Sequence, residues 1–193
     1  DRYAAMPIEE VAQDPQARQM GQRLFANNCS QCHGVDARGS FGFPNLTDND
    51  WLWGSSPEQI RQTITHGRQG VMPGWESVLG NKGVVDVTAY VLSLSGREAP
   101  AGDINAGEQA YKTVCATCHG PEGKGDIAFG APNLTDDIWL YGSSPAWIQQ
   151  TVRYGRNNVM PAFGENLEPA KIHLLVAYVW GLSNLDAKET ASR

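Results

Sequence analysis

The chain has 193 residues, a formal net charge of −6, and 21 glycines and 11 prolines, which predict many turns. This length allows one or two domains. The sequence contains no apolar run long enough to span a bilayer, and no basic block of the kind that binds nucleic acid or anionic lipid. Because it begins at Asp1 rather than at Met, we expect a mature or truncated product from which an anchor could have been removed.

The first predicted helix follows a short polar leader. Residues 1–14 contain scattered acidic side chains and Pro7, and we expect them to be extended. A helix is predicted from Pro15 to about Asn27. Within it, Gly21 and Phe25 are four residues apart, a spacing that would let a second helix cross closely. Gly107 and Tyr111 repeat this pair in the second half of the chain.

The sequence Cys-Ser-Gln-Cys-His at residues 29–33 follows this helix, and Cys-Ala-Thr-Cys-His at 115–119 is its copy. This CxxCH pattern is the attachment sequence of a c-type haem, in which two thiols bond the porphyrin and the histidine ligates the iron. A zinc site with four thiolates and a pair of redox dithiols are the alternatives, but neither requires a histidine after each pair. We therefore predict two covalently bound haem c groups. The residues concerned are Cys29, Cys32, His33, Cys115, Cys118 and His119.

Two further helices are predicted in each half of the chain. The sequence Ser-Ser-Pro-Glu at residues 55–58 combines a cap, a proline suited to the first turn and a glutamate placed for a capping box, so a helix should run from about Pro57 to His66. Its copy should run from about 145 to 154. A closing helix is predicted near 84–95, and apolar residues at helical spacing predict its counterpart around 172–179. Almost no strand signal is present.

Most of these features occur twice at a constant separation. Asn-Leu-Thr-Asp at 45–48 recurs at 133–136, and Ala-Tyr-Val at 89–91 recurs at 177–179, each 88 residues later. Internal duplication at this period predicts two similar folded units. We therefore expect a first domain at 15–97 and a second domain at 98–186, followed by a tail at 187–193. The predicted class is all-α, with each domain wrapped around one haem.

The ligand opposite the histidine on each haem iron distinguishes an electron carrier from a catalyst. Met72 and Met160 are the two duplicated methionines, each in a Val-Met-Pro loop, and a thioether ligand raises the reduction potential. The alternative is a methionine that packs against the ring without bonding. His66 and His173 are competing ligands. A charge at the end of a helix is the simpler interpretation of His66, and a partly buried helix residue is the simpler interpretation of His173.

Each unit resembles a class I cytochrome c domain, and the tandem resembles the periplasmic part of the diheme subunit of cbb3-type cytochrome c oxidases. The motifs that carry this resemblance are Asn-Leu-Thr-Asp, Trp-Leu-Trp-Gly with its copy Trp-Leu-Tyr-Gly, and His-Gly-Arg with its copy Tyr-Gly-Arg. The resemblance as a whole covers about residues 3–183. Full-length members of that family carry a membrane helix before the first haem unit, which this sequence lacks.

Several residue roles follow from the resemblance alone. The carbonyls of Pro44 and Pro132 would accept hydrogen bonds from the ligand imidazoles. The guanidinium groups of Arg68 and Arg156 would lie near haem propionates, with a surface charge as the alternative. The paired tryptophans would line the haem pockets, with an ordinary core position as the alternative. These tryptophans are Trp51 and Trp139.

The resemblance implies a one-electron carrier rather than an enzyme. Electrons would enter from a donor cytochrome c or a quinol-oxidising complex and leave toward the oxidase core. Haem attachment and cysteine usage imply export to the periplasm, with the full-length form anchored to the inner membrane. The alternatives are a free soluble diheme cytochrome, a cytochrome module of a dehydrogenase, and a diheme peroxidase, which would need one iron with an open position.

Overall fold

The computed structural model describes residues 2–185, which form helices and one small sheet. The helices are α1 (Ile8–Val11), α2 (Pro15–Asn28), α3 (Ser30–His33), α4 (Pro57–His66), α5 (Glu76–Leu94), α6 (Ile104–Val114), α7 (Ala116–His119), α8 (Pro145–Tyr154) and α9 (Pro169–Asn184). The strands are β1 (Arg68–Met72) and β2 (Arg156–Met160), which form a two-stranded sheet. The predicted helical class agrees with this architecture, whereas the two strands were not predicted.

Local sequence signals explain where the longer helices begin and end. The Asp14 carboxylate accepts hydrogen bonds from backbone N–H groups in the first turn of α2. At α4, Ser56 forms a capping box with Gln59 rather than with Glu58, because the motif requires the third helical residue. Both α4 and α8 end at a glycine in the left-handed region, with φ of 70° at Gly67 and 74° at Gly155.

The closing helix of the first half is longer than predicted. Helix α5 starts at Glu76, about two turns before the predicted start, and is interrupted at Gly80, where φ is 64°. The part after this kink corresponds to the predicted helix near 84–95. Only a residue without a Cβ adopts this backbone conformation at little cost, so Gly80 permits the change of direction.

The predicted extended leader is wrong for residues 2–14, because this segment folds onto the protein. It contains helix α1, and Tyr3, Ile8 and Val11 are buried. The Tyr3 hydroxyl donates a hydrogen bond to the Asp14 carboxylate at 3.0 Å. Apolar burial together with this hydrogen bond offsets the entropy lost when the leader becomes ordered.

The chain forms two compact units that do not coincide with the predicted domains 15–97 and 98–186. The first unit combines residues 2–68 with 159–185, and the second unit is 69–158. In the first unit, α9 packs against α1, α2 and α4, whereas in the second unit α5 packs against α6 and α8. Each closing helix therefore packs with elements of the other sequence repeat. The predicted tail, 187–193, lies outside the described residues.

A close helix crossing organises the first unit. A Cβ added at Gly21 of α2 would lie 2.6 Å from the Cβ of Tyr178 on α9, so only glycine fits at this crossing. The ring of Phe25, one turn further along α2, lies 5.5 Å from the ring of Tyr178. The prediction that Gly21 allows a close approach is confirmed, and the approaching helix is α9.

The second unit has the same crossing between α6 and α5. A Cβ added at Gly107 would lie 2.0 Å from the backbone oxygen of Asp86, and the rings of Tyr90 and Tyr111 are 5.2 Å apart. Tyr111 is fully buried, and its hydroxyl donates a hydrogen bond to the Gly120 carbonyl at 2.7 Å. This bond joins α6 to the end of the segment that carries the second CxxCH sequence.

Candidate haem-binding sites

The first CxxCH sequence lies where α2 ends and the single turn α3 begins. Cys29 is half-buried and Cys32 is exposed, while His33 is only 9% exposed. The Nδ1 atom of His33 lies 2.9 Å from the Pro44 carbonyl oxygen. Because a carbonyl only accepts hydrogen bonds, Nδ1 carries the proton and donates, which leaves Nε2 as the nitrogen that can bind a metal.

The second CxxCH sequence has the same local arrangement in the second unit. Cys115 is buried, Cys118 is half-buried, and His119 is 8% exposed at the end of α7. The Nδ1 atom of His119 donates to the Pro132 carbonyl at 3.2 Å. In both units, a prolyl carbonyl therefore accepts a hydrogen bond from the histidine of the CxxCH sequence.

Burial shifts the pKa of both histidines and of the cysteines Cys29 and Cys115. It lowers the pKa of His33 and of His119, which favours the neutral imidazole that a metal requires. It also raises the pKa of Cys29 and of Cys115 to about 11, with the neighbouring cysteine as a smaller cause. A reactive dithiol needs a lowered thiol pKa, so these environments do not favour dithiol redox chemistry.

Each duplicated methionine packs in the unit that contains the histidine of the other repeat. Met160 is half-buried and packs against the hydrophobic core of the first unit, which Cys29 also contacts. Met72 packs against the core of the second unit, which contains Cys115. The structure therefore groups Met160 with the first CxxCH sequence and Met72 with the second.

Two glycines allow the methionine segments to approach the ends of α4 and α8. A Cβ added at Gly67 would lie 2.4 Å from the backbone oxygen of Met160. A Cβ added at Gly155 would lie 2.3 Å from the backbone oxygen of Met72. Both distances are far below a normal contact, so a side chain at either position would displace the methionine segment beside it.

The two competing histidines lie in different environments. His66 is exposed at the end of α4. His173 is buried on α9, and both of its ring nitrogens have partners: Nδ1 lies 3.1 Å from the Arg61 guanidinium, and Nε2 lies 3.1 Å from the Met6 carbonyl oxygen. The carbonyl makes Nε2 the donor, so Nδ1 accepts from Arg61. His173 is therefore a hydrogen-bonded helix residue with no ring nitrogen free for a metal.

The two candidate propionate-binding arginines are held by matching partners. The guanidinium group of Arg68 lies 5.0 Å from the centre of an aromatic ring, and that of Arg156 lies 4.2 Å from another. Each Nε also lies within 3.1 Å of a threonine hydroxyl, which orients the guanidinium group. Sequence reasoning missed these partners, although each pair is 88 residues apart. The aromatic residues are Trp53 and Tyr141, and the threonines are Thr63 and Thr151.

The paired tryptophans differ in their hydrogen bonds. The indole N–H of Trp51 donates to the Asp48 carbonyl at 3.2 Å. The indole nitrogen of Trp139 is buried and has no hydrogen-bond partner among residues 2–185. A buried donor without an acceptor costs about 1–3 kcal/mol, so a bound group that supplies an acceptor would remove this cost. The carboxylates of a haem are acceptors of this kind, and the Trp139 environment therefore fits haem binding.

Among residues 2–185, no helix is both long enough and apolar enough to cross a membrane.

Comparison with known proteins identifies similar sequences over nearly the whole chain. The family model described as cytochrome c oxidase, cbb3-type, subunit III matches residues 16–91 and 102–179. The cbb3-type cytochrome c oxidase subunit CcoP of Rubrivivax gelatinosus is 52% identical over 94% of this chain and 60% of its own length. The subunit FixP of Azorhizobium caulinodans is 45% identical over 92% of this chain and 65% of its own length. The chain thus spans less than two thirds of these two relatives.

Proposed function

This chain belongs to the family of cbb3-type cytochrome c oxidase subunit III, and we propose that it relays single electrons between two haem c groups toward the core of such an oxidase. A c-type cytochrome family implies covalently bound haem c, and the two CxxCH sequences support a count of two. The observation that carries the proposal is the duplicated site. In each unit, a prolyl carbonyl orients the buried histidine of a CxxCH sequence, and the first cysteine of that sequence shares a hydrophobic core with a half-buried methionine.

The proposed ligands explain why the chain would carry electrons rather than perform catalysis. Bound haem iron supplies one-electron redox chemistry. His33 and His119 would each present Nε2 to an iron, and the prolyl carbonyls hold their rings in place. Met72 and Met160 would occupy the remaining axial positions and exclude other ligands such as dioxygen. The chain would therefore hold both irons in one coordination state during oxidation and reduction.

Polar groups around each site would bind the haem carboxylates. We propose that the Trp139 indole N–H donates to a propionate, since it is buried and no acceptor lies within reach among the described residues. The guanidinium groups of Arg68 and Arg156 would supply positive charge, oriented by the threonine hydroxyls and the aromatic rings described above. Trp51 and Trp139 would line the pockets.

The proposed setting follows from the relatives. Both curated relatives described above are named as subunits of cbb3-type oxidases, so the partners proposed here are an oxidase core and a donor cytochrome c or quinol-oxidising complex. Covalent haem attachment requires an exported protein, which supports a periplasmic location. A membrane anchor in the full-length protein would hold the chain beside the oxidase.

A redox titration of the haem-loaded protein, with spectra of both oxidation states, tests this proposal. We expect two haems per chain, both low-spin in the ferric state, with the absorption band of methionine-ligated haem. Met160→Ala should remove part of that band, whereas Met20→Ala, at a methionine that is 39% exposed on α2, should leave it intact. A high-spin ferric component in the unmodified protein at neutral pH would contradict the assignment of both methionines.

A further inference from the structure

We propose that the two haem sites differ in reduction potential. The second haem, at Cys115 and Cys118, would accept an electron more readily than the first haem, at Cys29 and Cys32. A single electron on the chain would therefore pass from the first haem to the second. In that step the first iron is oxidised from ferrous to ferric, the second is reduced from ferric to ferrous, and no bond forms or breaks. The presence of both haems rests on the proposed function, whereas the order of their potentials rests on contacts that differ between the two units.

The duplicated sites can be compared position by position. Each has a histidine oriented by a prolyl carbonyl and an arginine oriented by a threonine hydroxyl. The two histidines are also almost equally buried, with 9% of His33 and 8% of His119 exposed. Contributions that the two sites share cancel in the difference between the two potentials. The order is therefore set by equivalent positions at which the contacts are not the same.

The first difference is the hydrogen bond of each candidate iron ligand. The Nδ1 atom of His33 lies 2.9 Å from the Pro44 carbonyl oxygen, whereas Nδ1 of His119 lies 3.2 Å from the Pro132 carbonyl oxygen. A shorter hydrogen bond from Nδ1 gives the imidazole more anionic character and makes it a more basic ligand. A more basic ligand stabilises ferric iron relative to ferrous iron, which lowers the reduction potential. This contact therefore lowers the potential of the first haem relative to that of the second.

The second difference is the availability of the paired indole N–H groups. Trp51 packs against the hydrophobic core of the first unit, and Trp139 packs against that of the second. The Trp51 N–H already donates to the Asp48 carbonyl at 3.2 Å. The Trp139 nitrogen is buried and has no partner among residues 2–185, so its N–H is available to a haem propionate.

A donor to a propionate changes the potential because negative charge near the iron stabilises the ferric state. A hydrogen bond from Trp139 would offset part of that charge at the second haem and raise its potential. Trp51 would do so less at the first haem, since its N–H is engaged by a backbone carbonyl. Both differences thus act in the same direction, one through the axial histidine and the other through the haem carboxylates.

The order can be measured by giving one haem a distinguishable spectrum. Replacing one cysteine of a CxxCH sequence leaves one vinyl group unreacted, and its conjugation with the porphyrin moves the absorption bands of that haem to longer wavelength. Cys32→Ala, at an exposed cysteine, marks the first haem in this way. In a redox titration of this haem-loaded variant, we expect the unshifted bands to become ferrous at the higher potential and the shifted bands at the lower one. The opposite order would overturn the proposal.

Cys118→Ala is the matched control, because it marks the second haem instead. In this variant the shifted bands should become ferrous first. If the shifted bands respond in the same order in both variants, the loss of the thioether bond outweighs any difference between the unmodified sites. That result would overturn the proposal as well.

The unmodified protein provides a second measurement, which does not require the marked variants to mature. We expect two one-electron waves, of which Trp139→Phe lowers the higher one and so brings the two together. Trp51→Phe should produce the smaller shift. Two haems that titrate at one potential, or a Trp139→Phe variant in which the lower wave moves down, would overturn the order. A high-spin ferric haem would instead contradict the proposed function, because the spin state reports on the axial ligands.

Discussion

Gly21→Ala would add a methyl group where α2 and α9 cross. The added Cβ would lie 2.6 Å from the Tyr178 Cβ and 2.8 Å from the Leu174 backbone oxygen, so the helices must move apart. Overpacking of this kind costs about 1–3 kcal/mol, whereas alanine in a helix is otherwise favoured over glycine by about 0.5–1 kcal/mol. We therefore expect a net loss of up to about 2.5 kcal/mol in the free energy of unfolding.

Gly181→Ala provides a matched control in the same unit. Gly181 also lies in a helix, but an added Cβ would be at least 3.6 Å from its neighbours, which is an ordinary contact distance. This variant should gain about 0.5–1 kcal/mol from helix propensity. Urea unfolding of the haem-loaded variants, followed by circular dichroism, measures both effects. If Gly21→Ala is as stable as Gly181→Ala, the crossing is not as close as described.

Three further predictions concern a ring pair, a buried histidine and an indole donor. In double-mutant cycles with leucine, Phe25 should couple to Tyr178 by about 0.5–1.5 kcal/mol in unfolding free energy, since their rings are in contact, and Tyr90, whose ring packs on Tyr111, is the control. Burial lowers the pKa of His173, so unfolding measurements should show stability falling below about pH 6.5, less steeply in His173→Gln. Trp139→Phe should lower one haem potential in a redox titration, because an anionic propionate loses a donor.

Each of these predictions has a control or an outcome that would contradict it. Coupling of Phe25 to Tyr90 instead of Tyr178 would indicate sequential domains. Stability falls at low pH because the unfolded chain binds a proton at His173. In the folded protein, burial and the neighbouring Arg61 guanidinium oppose that protonation. Equal pH slopes for the unmodified protein and His173→Gln would show that protonation of His173 does not cause the loss of stability. Trp51→Phe is the control for Trp139→Phe, since the Trp51 indole N–H already donates to a backbone carbonyl. An equal shift of the haem potential in both variants would contradict the assignment of Trp139 as a propionate donor.

The repeat pattern predicted the elements of the fold because their signals are local. The caps at Ser56 and Ser144 and the terminating glycines gave the ranges of α4 and α8. The CxxCH spacing and its adjoining histidine likewise depend on a few consecutive residues. Those residues lie together in the structure regardless of how the helices pair.

The helix pairing could not be predicted because the two halves carry the same pattern. The Gly-x-x-x-aromatic sequence of α2 occurs again in α6, and the Ala-Tyr-Val sequence of α5 occurs again in α9. Either closing helix could therefore pack on either opening helix with similar contacts. Contacts that differ between the halves, such as Arg61 with His173, link residues more than one hundred positions apart, and no local signal indicates them.

The strands and the folded leader were missed for a different physical reason. Strands β1 and β2 have five residues each and pair with one another across 88 positions of the sequence, so their formation depends on tertiary context. The leader is polar on average, but Tyr3, Ile8 and Val11 pack into the hydrophobic core of the first unit. The sequence identifies these apolar residues but does not indicate which part of the protein they pack against.

A crystal structure of the haem-loaded protein tests the proposed haem ligands most directly, because it shows which sulfur lies on each iron. We predict that the iron of the haem attached to Cys29 and Cys32 is bonded to His33 and to the sulfur of Met160. The sulfur of Met72 on that same iron, or an axial position without a methionine, would contradict this account.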